Sequence, residues 1–263
     1  AEPCRAYACA AEIRLDGIIQ GKKIQTVRGI IMGILIAIEG TDSSGKQTQS
    51  EMLYKALCEK GFRARLVSFP AYECDSSALV KMYLAGEFGT DPKDVNAYTA
   101  STFYAMDRFA TYRKDWGKDY NDGTIIVADR YVPSNLIHQA SKIENEVEKD
   151  KFIKWLEDLE YVKYELPRPD ATIFLDMPTE TAQKLMAERA NKIDNSATKD
   201  IHERNGEYLK KSYLNAKGIA EKLSWDVISC ADGEGNVRTI SDIASDIWKI
   251  AEDVIAKSRF AAD

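Results

Sequence analysis

Residues 34–48, Ile-Leu-Ile-Ala-Ile-Glu-Gly-Thr-Asp-Ser-Ser-Gly-Lys-Gln-Thr, constrain this chain more than any other stretch. Five apolar residues run into a loop bounded by Gly40 and Gly45, and Lys46 opens a helical pattern carrying Met52, Leu53 and Leu57. A buried strand, a tight loop and a helix N-terminus, in that order, make a cradle for phosphate. The two glycines let the backbone turn tightly and aim N–H groups inward. Lys46 adds a point charge for β- and γ-phosphates, and the helix dipole favours the same anion.

One position departs from the usual pattern. The residue after the lysine is ordinarily Ser or Thr, whose hydroxyl binds Mg²⁺, and here it is Gln47. Thr48 lies one place further round the helix and is no simple substitute. The metal site therefore needs another account.

At 263 residues the chain suits one large α/β domain. Its 42 Asp and Glu against 36 Lys and Arg, with no long basic run, argue against a nucleic-acid polymer as main partner. No apolar run reaches the ~20 residues of a membrane span. Five scattered cysteines, an odd number, fit free thiols in a reducing cytoplasm better than a disulfide framework. Residues 1–31 carry no sustained period, and the regular pattern starts beside Met32. They are expected to be a dispensable extension, with a targeting arm as the alternative.

From residue 32 onward, strand and helix patterns alternate, which predicts a parallel sheet with helices on both faces. Strands are expected at 34–38, 64–69, 124–128, 171–175 and 225–229. Helices are expected at 46–60, 76–85, 94–114, 133–140, 146–160, 180–190, 207–223 and 239–257. Ligands in such sheets gather at the carboxyl ends of the strands.

Asp129-Arg130 follows one of those strands directly. An Asp there can hold Mg²⁺, directly or through water, and Arg130 can clamp a phosphate with two parallel hydrogen bonds. A structural ion pair is the plainer alternative. Tyr104 and Arg108 are four apart on a predicted helix, an aromatic for stacking and a guanidinium for hydrogen bonding. Residues 188–207 are polar, with Arg189, Lys192, Lys199 and Arg204; a mobile basic lid and a solvated loop both fit that composition. Asn191-Lys192-Ile193-Asp194 has the spelling of a guanine-reading motif, but it follows a charged helix rather than an apolar strand, and no Asp-x-x-Gly precedes it.

Taken in order, these pieces resemble the thymidylate kinase family. Glu39-Gly40…Asp42, Phe69-Pro70, Tyr104…Asp107-Arg108, Asp129-Arg130-Tyr131…Ser134-Asn135 and Pro169-Asp170…Leu175-Asp176 stand in the family's sequence, over about residues 33–250. Met82–Gly89 and Asp200–Arg204 look closest to a Firmicute-like bacterial branch. The resemblance implies a P-loop NTPase fold, a three-layer α/β/α domain over residues 32–263 with a five-stranded parallel sheet and a mobile lid at about 189–206. It implies transfer of the ATP γ-phosphoryl group to dTMP, giving dTDP and ADP on the way to dTTP, with Mg²⁺, in a cytoplasmic homodimer.

Residue by residue, Gly40, Thr41, Asp42, Ser43, Ser44, Gly45, Lys46, Gln47 and Thr48 would hold ATP. Asp42 would also bind the dTMP sugar hydroxyl, Phe69 and Pro70 would line the acceptor pocket, and Tyr104 would stack on thymine. Arg108 would bond the base's carbonyl edge, Arg130 would grip the acceptor phosphate, and Ser134 and Asn135 would contact the base. Lys46, Asp129, Arg130, Arg189 and Arg204 form the implied catalytic set, with Asp129 as the metal ligand. Ser43 stands where some members carry a loop arginine, which leaves the lid arginines to supply positive charge. Tyr72 replaces an arginine that many members place near the acceptor phosphate, and His138 replaces a tyrosine near the sugar. Two other functions compete: a deoxynucleoside kinase acting on thymidine, and a nucleotide-binding regulator without catalysis.

Overall fold

A computed structural model describes residues 7–8, 32–182, 201–202 and 205–260. In chain order the elements are β1 (Tyr7–Ala8), β2 (Leu35–Gly40), α1 (Lys46–Glu59), β3 (Ala64–Ser68), α2 (Ala78–Ala85), α3 (Ala97–Thr111), α4 (Gly117–Asn121), β4 (Ile125–Asp129), α5 (Val132–His138), α6 (Glu146–Glu157), β5 (Ala171–Asp176), α7 (Gly206–Lys222), β6 (Asp226–Ser229) and α8 (Ile240–Phe260).

The sheet runs β1-β3-β4-β2-β5-β6. The five expected strands pair in parallel, so the α/β/α reading holds. Beyond that expectation, Tyr7–Ala8 adds a short antiparallel edge strand on β3, with Tyr7 opposite Leu66. The β2 strand is central, and all six of its residues are buried. Successive residues face opposite sides of a strand, so its apolar run feeds two cores. Ile36 and Ile38 pack with Leu53 and Leu57 of α1 and with Ile243, Ile247 and Ile255 of α8. Leu35 and Ala37 pack with Trp116, Tyr131, Leu136, Phe152 and Leu156 on the other face. Each such side chain contributes roughly 1.5–3 kcal/mol on full burial, which is why a strand this apolar sits in the middle of the sheet rather than at its edge.

Two helices end differently from their expected form. Each passes into a π-helical turn, Tyr112–Trp116 after α3 and Asp158–Lys163 after α6. In the first, the Gly117 N–H bonds back to Tyr112 O. A Cβ on Gly117 would lie 2.4 Å from that carbonyl, so only glycine lets the backbone close there. The second turn carries Glu160 into the core at 0% exposure.

The cysteines correct one expectation. Cys74 is disulfide-bonded, while Cys58 and Cys230 are free. Among the described residues, no helix is long and apolar enough to cross a membrane.

Candidate active site

The loop between β2 and α1 has the backbone its glycines require. Gly45 caps α1 in the left-handed region at φ 89°. Any Cβ on Gly40 would meet Ser44 Oγ at 2.4 Å, so residue 40 has no room for a side chain. Lys46 is buried, and its Nζ donates to Thr41 O at 2.6 Å within the same loop. Burial pushes its ammonium down to about 8, and the nearby Arg130 charge pushes the same way.

Parallel pairing of β2 with β4 sets Ile38 beside Asp129, so the strand-end Asp-Arg pair arrives next to this loop. Arg130 adopts φ 67°, a left-handed conformation unusual outside glycine and typical of a residue held for function. Its Nη2 donates to Asp42 Oδ1 at 2.6 Å, and its Nη1 meets His138 Nε2 at 3.2 Å. Burial acts to raise the Asp42 carboxyl pKa, but the Arg130 guanidinium holds it well below the usual carboxylate range.

Directly beneath lies Glu39, wholly buried. Its carboxylate accepts from Tyr131 N at 2.7 Å and Ser134 Oγ at 2.6 Å. Those two bonds fix the turn from β4 into α5. Burial pushes the Glu39 carboxyl up to about 7.

A cavity of about 470 Å³ opens from the loop toward α3 and α5. It brings together Asp42, Ser43, Gly45, Lys46, Gln47 and Thr48 of the loop with Phe69, Pro70, Tyr104, Arg108, Asp129, Arg130, Ser134, Asn135 and His138. Gly40, Thr41 and Ser44 stand behind that surface as buried framework. Arg189, Arg204, most of the expected lid and the Asn191–Asp194 stretch lie outside the described residues. Tyr72 also lines the cavity and is half exposed.

Further contacts around the cavity carry no signal in sequence spacing. Asp107 is buried and accepts from Ala71 N at 2.8 Å and Ser76 Oγ at 2.6 Å, which ties the loop after Pro70 to α3. Glu160, buried behind the cavity wall, holds Arg108 with both oxygens accepting at 2.6 Å. Tyr83 braces Tyr104, ring centroids 6.4 Å apart and nearly perpendicular. His138 and His202, the chain's only two histidines, stack in the cavity wall with centroids 6.2 Å apart. Burial pushes His202 down to about 3 and His138 well below its ordinary value, so both are neutral at pH 7.

The metal question comes down to two side chains. Gln47 is exposed and turns along its own helix, Nε2 donating to Glu51 Oε1 at 3.1 Å. Asp129 Oδ1 is buried with no hydrogen-bond partner among the described residues. A shielded, unpaired carboxylate oxygen at a phosphate loop fits a hard divalent cation, which readily takes one protein carboxylate and several waters.

The chain is similar to known proteins along most of its length. The family profile described as "Thymidylate kinase" matches residues 38–239. Thymidylate kinase of Mycobacterium tuberculosis strain H37Rv is 30% identical over 182 residues, spanning 68% of this chain and 82% of that protein. The human thymidylate kinase is 26% identical over 223 residues, spanning 85% and 92%. A solved thymidylate kinase of Candida albicans shares the fold, with a TM-score of 0.63 at 22% identity and coverage of 86% and 93%. With a profile match over most of its length and a phosphate loop opening on a cavity, the chain belongs to the thymidylate kinase family, the ATP:dTMP phosphotransferases.

Proposed function

We propose that this cavity performs the transfer with the ATP phosphates on the loop 40–48 and dTMP between α3 and α5. The observation that carries this reading is the position of Arg130. It lines the same cavity as Lys46 and Arg108 and is already paired to Asp42 of the loop. Arg130 grips the acceptor phosphate, Asp42 takes the sugar hydroxyl, and His138 lies at the sugar end. Tyr104 stacks on the base over the floor made by Phe69 and Pro70, while Arg108, Ser134 and Asn135 address its edges.

The chemistry demanded of these residues is mostly alignment and charge neutralisation, because a phosphoryl group passes in line between two oxygens. Two polyanions repel, and Lys46 and Arg130 offset that repulsion. Arg189 and Arg204 add charge from the lid, which also keeps water from the transferring group. Asp129 would hold Mg²⁺, which supplies charge neutralisation on the phosphates when bound.

We also propose a homodimer and placement in the Firmicute-like branch, supported by Met82–Gly89 and by the family resemblance. Cytoplasmic placement draws support from the free thiols of Cys58 and Cys230, and the disulfide at Cys74 weighs against it.

An ADP-release assay comparing dTMP with thymidine, followed by single turnovers with a panel of monophosphates, tests the reading. Preference for dTMP is expected. Preference for thymidine, or ATP binding without dTDP, would replace it with one of the two rivals.

A further inference from the structure

Arg108 and Glu160 are both buried, at 1% and 0% exposure, and meet across 52 positions of sequence. Glu160 Oε2 accepts from Arg108 Nε, and Oε1 accepts from Nη2, each at 2.6 Å. This side-on pairing occupies one edge of the guanidinium. Nη1 reaches only Tyr131 O, at a long 3.5 Å, which leaves it as the donor available to the cavity that Arg108 lines.

Asn135 is oriented by the same carboxylate. Its side chain stands close enough to stabilise the charged form of Glu160, and Nδ2 donates to Ser101 O at 3.3 Å. An amide whose nitrogen is turned to protein acceptors presents its oxygen on the other side. The wall therefore offers a donor from Arg108 next to an acceptor from Asn135.

That order has a polarity. A 4-oxopyrimidine presents a carbonyl acceptor at C4 and an N–H donor at N3, matching both groups. A 4-aminopyrimidine presents a donor and a bare lone pair, and mismatches both. A buried ion pair is costly to desolvate, and apolar residues of similar volume often stabilise a fold as well or better. Structural need alone does not account for a charged pair here.

We propose that Glu160 is a specificity-determining positioning residue: by holding Arg108 and Asn135 together, it sets the donor–acceptor polarity that selects 4-oxo over 4-amino pyrimidine monophosphates. The proposal rests on the dTMP reading above.

The test measures kcat/KM for dTMP and for dCMP, with KM for ATP alongside, in the full chain and in Glu160→Gln. The expected result is a KM for dTMP raised roughly ten- to hundredfold, the worth of a charge-assisted hydrogen bond. KM for ATP stays unchanged, and the dTMP-to-dCMP ratio falls at least about tenfold. A variant that is less stable or uniformly slower yet keeps the wild-type ratio would overturn the proposal and leave Glu160 purely structural. Should Glu160→Gln fail to fold, Glu160→Asp keeps the buried charge, withdraws it by one methylene, and is judged by the same ratio. Wild-type protein that does not phosphorylate dTMP would overturn the acceptor reading itself, whatever Glu160 does.

Discussion

Arg130 Nη2 and Asp42 Oδ1 meet at 2.6 Å, an ion pair joining the end of β4 to the phosphate loop across 88 positions of sequence. The arginine proposed to grip the acceptor is thereby anchored to the loop proposed to hold the donor. Asp42→Asn keeps the shape and removes the charge. Its KM for dTMP is expected to rise about tenfold or more, the lower end for a charged hydrogen bond, with a smaller change for ATP. Equal KM values before and after would show that His138 and the strained backbone suffice to place Arg130.

Arg108→Ala weakens dTMP binding by roughly 1.5–3 kcal/mol, one to two decades in affinity, and leaves ATP affinity in place. It also strands Glu160 as a buried charge, so a stability loss of about 3–5 kcal/mol accompanies it. Calorimetric titration with each nucleotide and a urea melt separate the two effects.

The metal is expected to depend on Asp129 and not on residue 47. Asp129→Asn raises the Mg²⁺ needed for half-maximal rate and slows transfer severely, and Lys46→Ala nearly abolishes it. Gln47→Ser is tolerated, since the glutamine is exposed and its side chain donates along its own helix to Glu51, and it lowers the Mg²⁺ requirement. Titrating Mg²⁺ at saturating ATP and dTMP decides this, and the reverse pattern would make the glutamine amide the essential group.

With the Lys46 ammonium pushed down to about 8 by burial, kcat/KM for ATP should be level below pH 8 and fall above it, because only the protonated form carries charge. Stability moves the other way. The folded pKa lies below that of lysine in an unfolded chain, about 10.4, so the unfolded state binds more protons between those values and stability rises across that window. A kcat/KM profile that stays flat to pH 9.5 would place the ammonium pKa higher.

Removing residues 1–31 should leave both KM values unchanged, because the described lining of the cavity runs from Asp42 to His202. Loss of the pairing between Tyr7–Ala8 and β3 bares a strand edge, so a lower melting temperature is compatible with this expectation. Loss of folded, active protein is not.

The parts of this site legible in the sequence are those where chemistry and chain position coincide. The phosphate loop, Asp129-Arg130 and the five parallel strands each announce themselves by local pattern, since an apolar run followed by glycine or a strand-end carboxylate has few other uses. Glu160 escaped for a physical reason. At the end of an expected amphipathic helix a glutamate reads as a solvated residue, and only the π-helical turn Asp158–Lys163 rotates it inward. Asp107 stands inside the Tyr104…Arg108 motif, but its work of pinning the loop at Ala71 and Ser76 depends on contacts 36 and 31 positions away. Partners that distant leave no trace in spacing. The Arg108 motif was visible while the carboxylate that orients it was not.

The buried pairing of Arg108 with Glu160 also bears on how such a chain can change over generations. Each residue protects the other from replacement, since losing either one leaves a lone charge inside the fold. Drift at this spot must alter two codons far apart in the gene, almost together, or pass through an ancestor that folds poorly. Elsewhere in the cavity wall, an exposed residue such as Tyr72 can be exchanged singly. Inherited variation in acceptor preference is therefore expected to accumulate at the cavity's rim, while its innermost wall stays frozen.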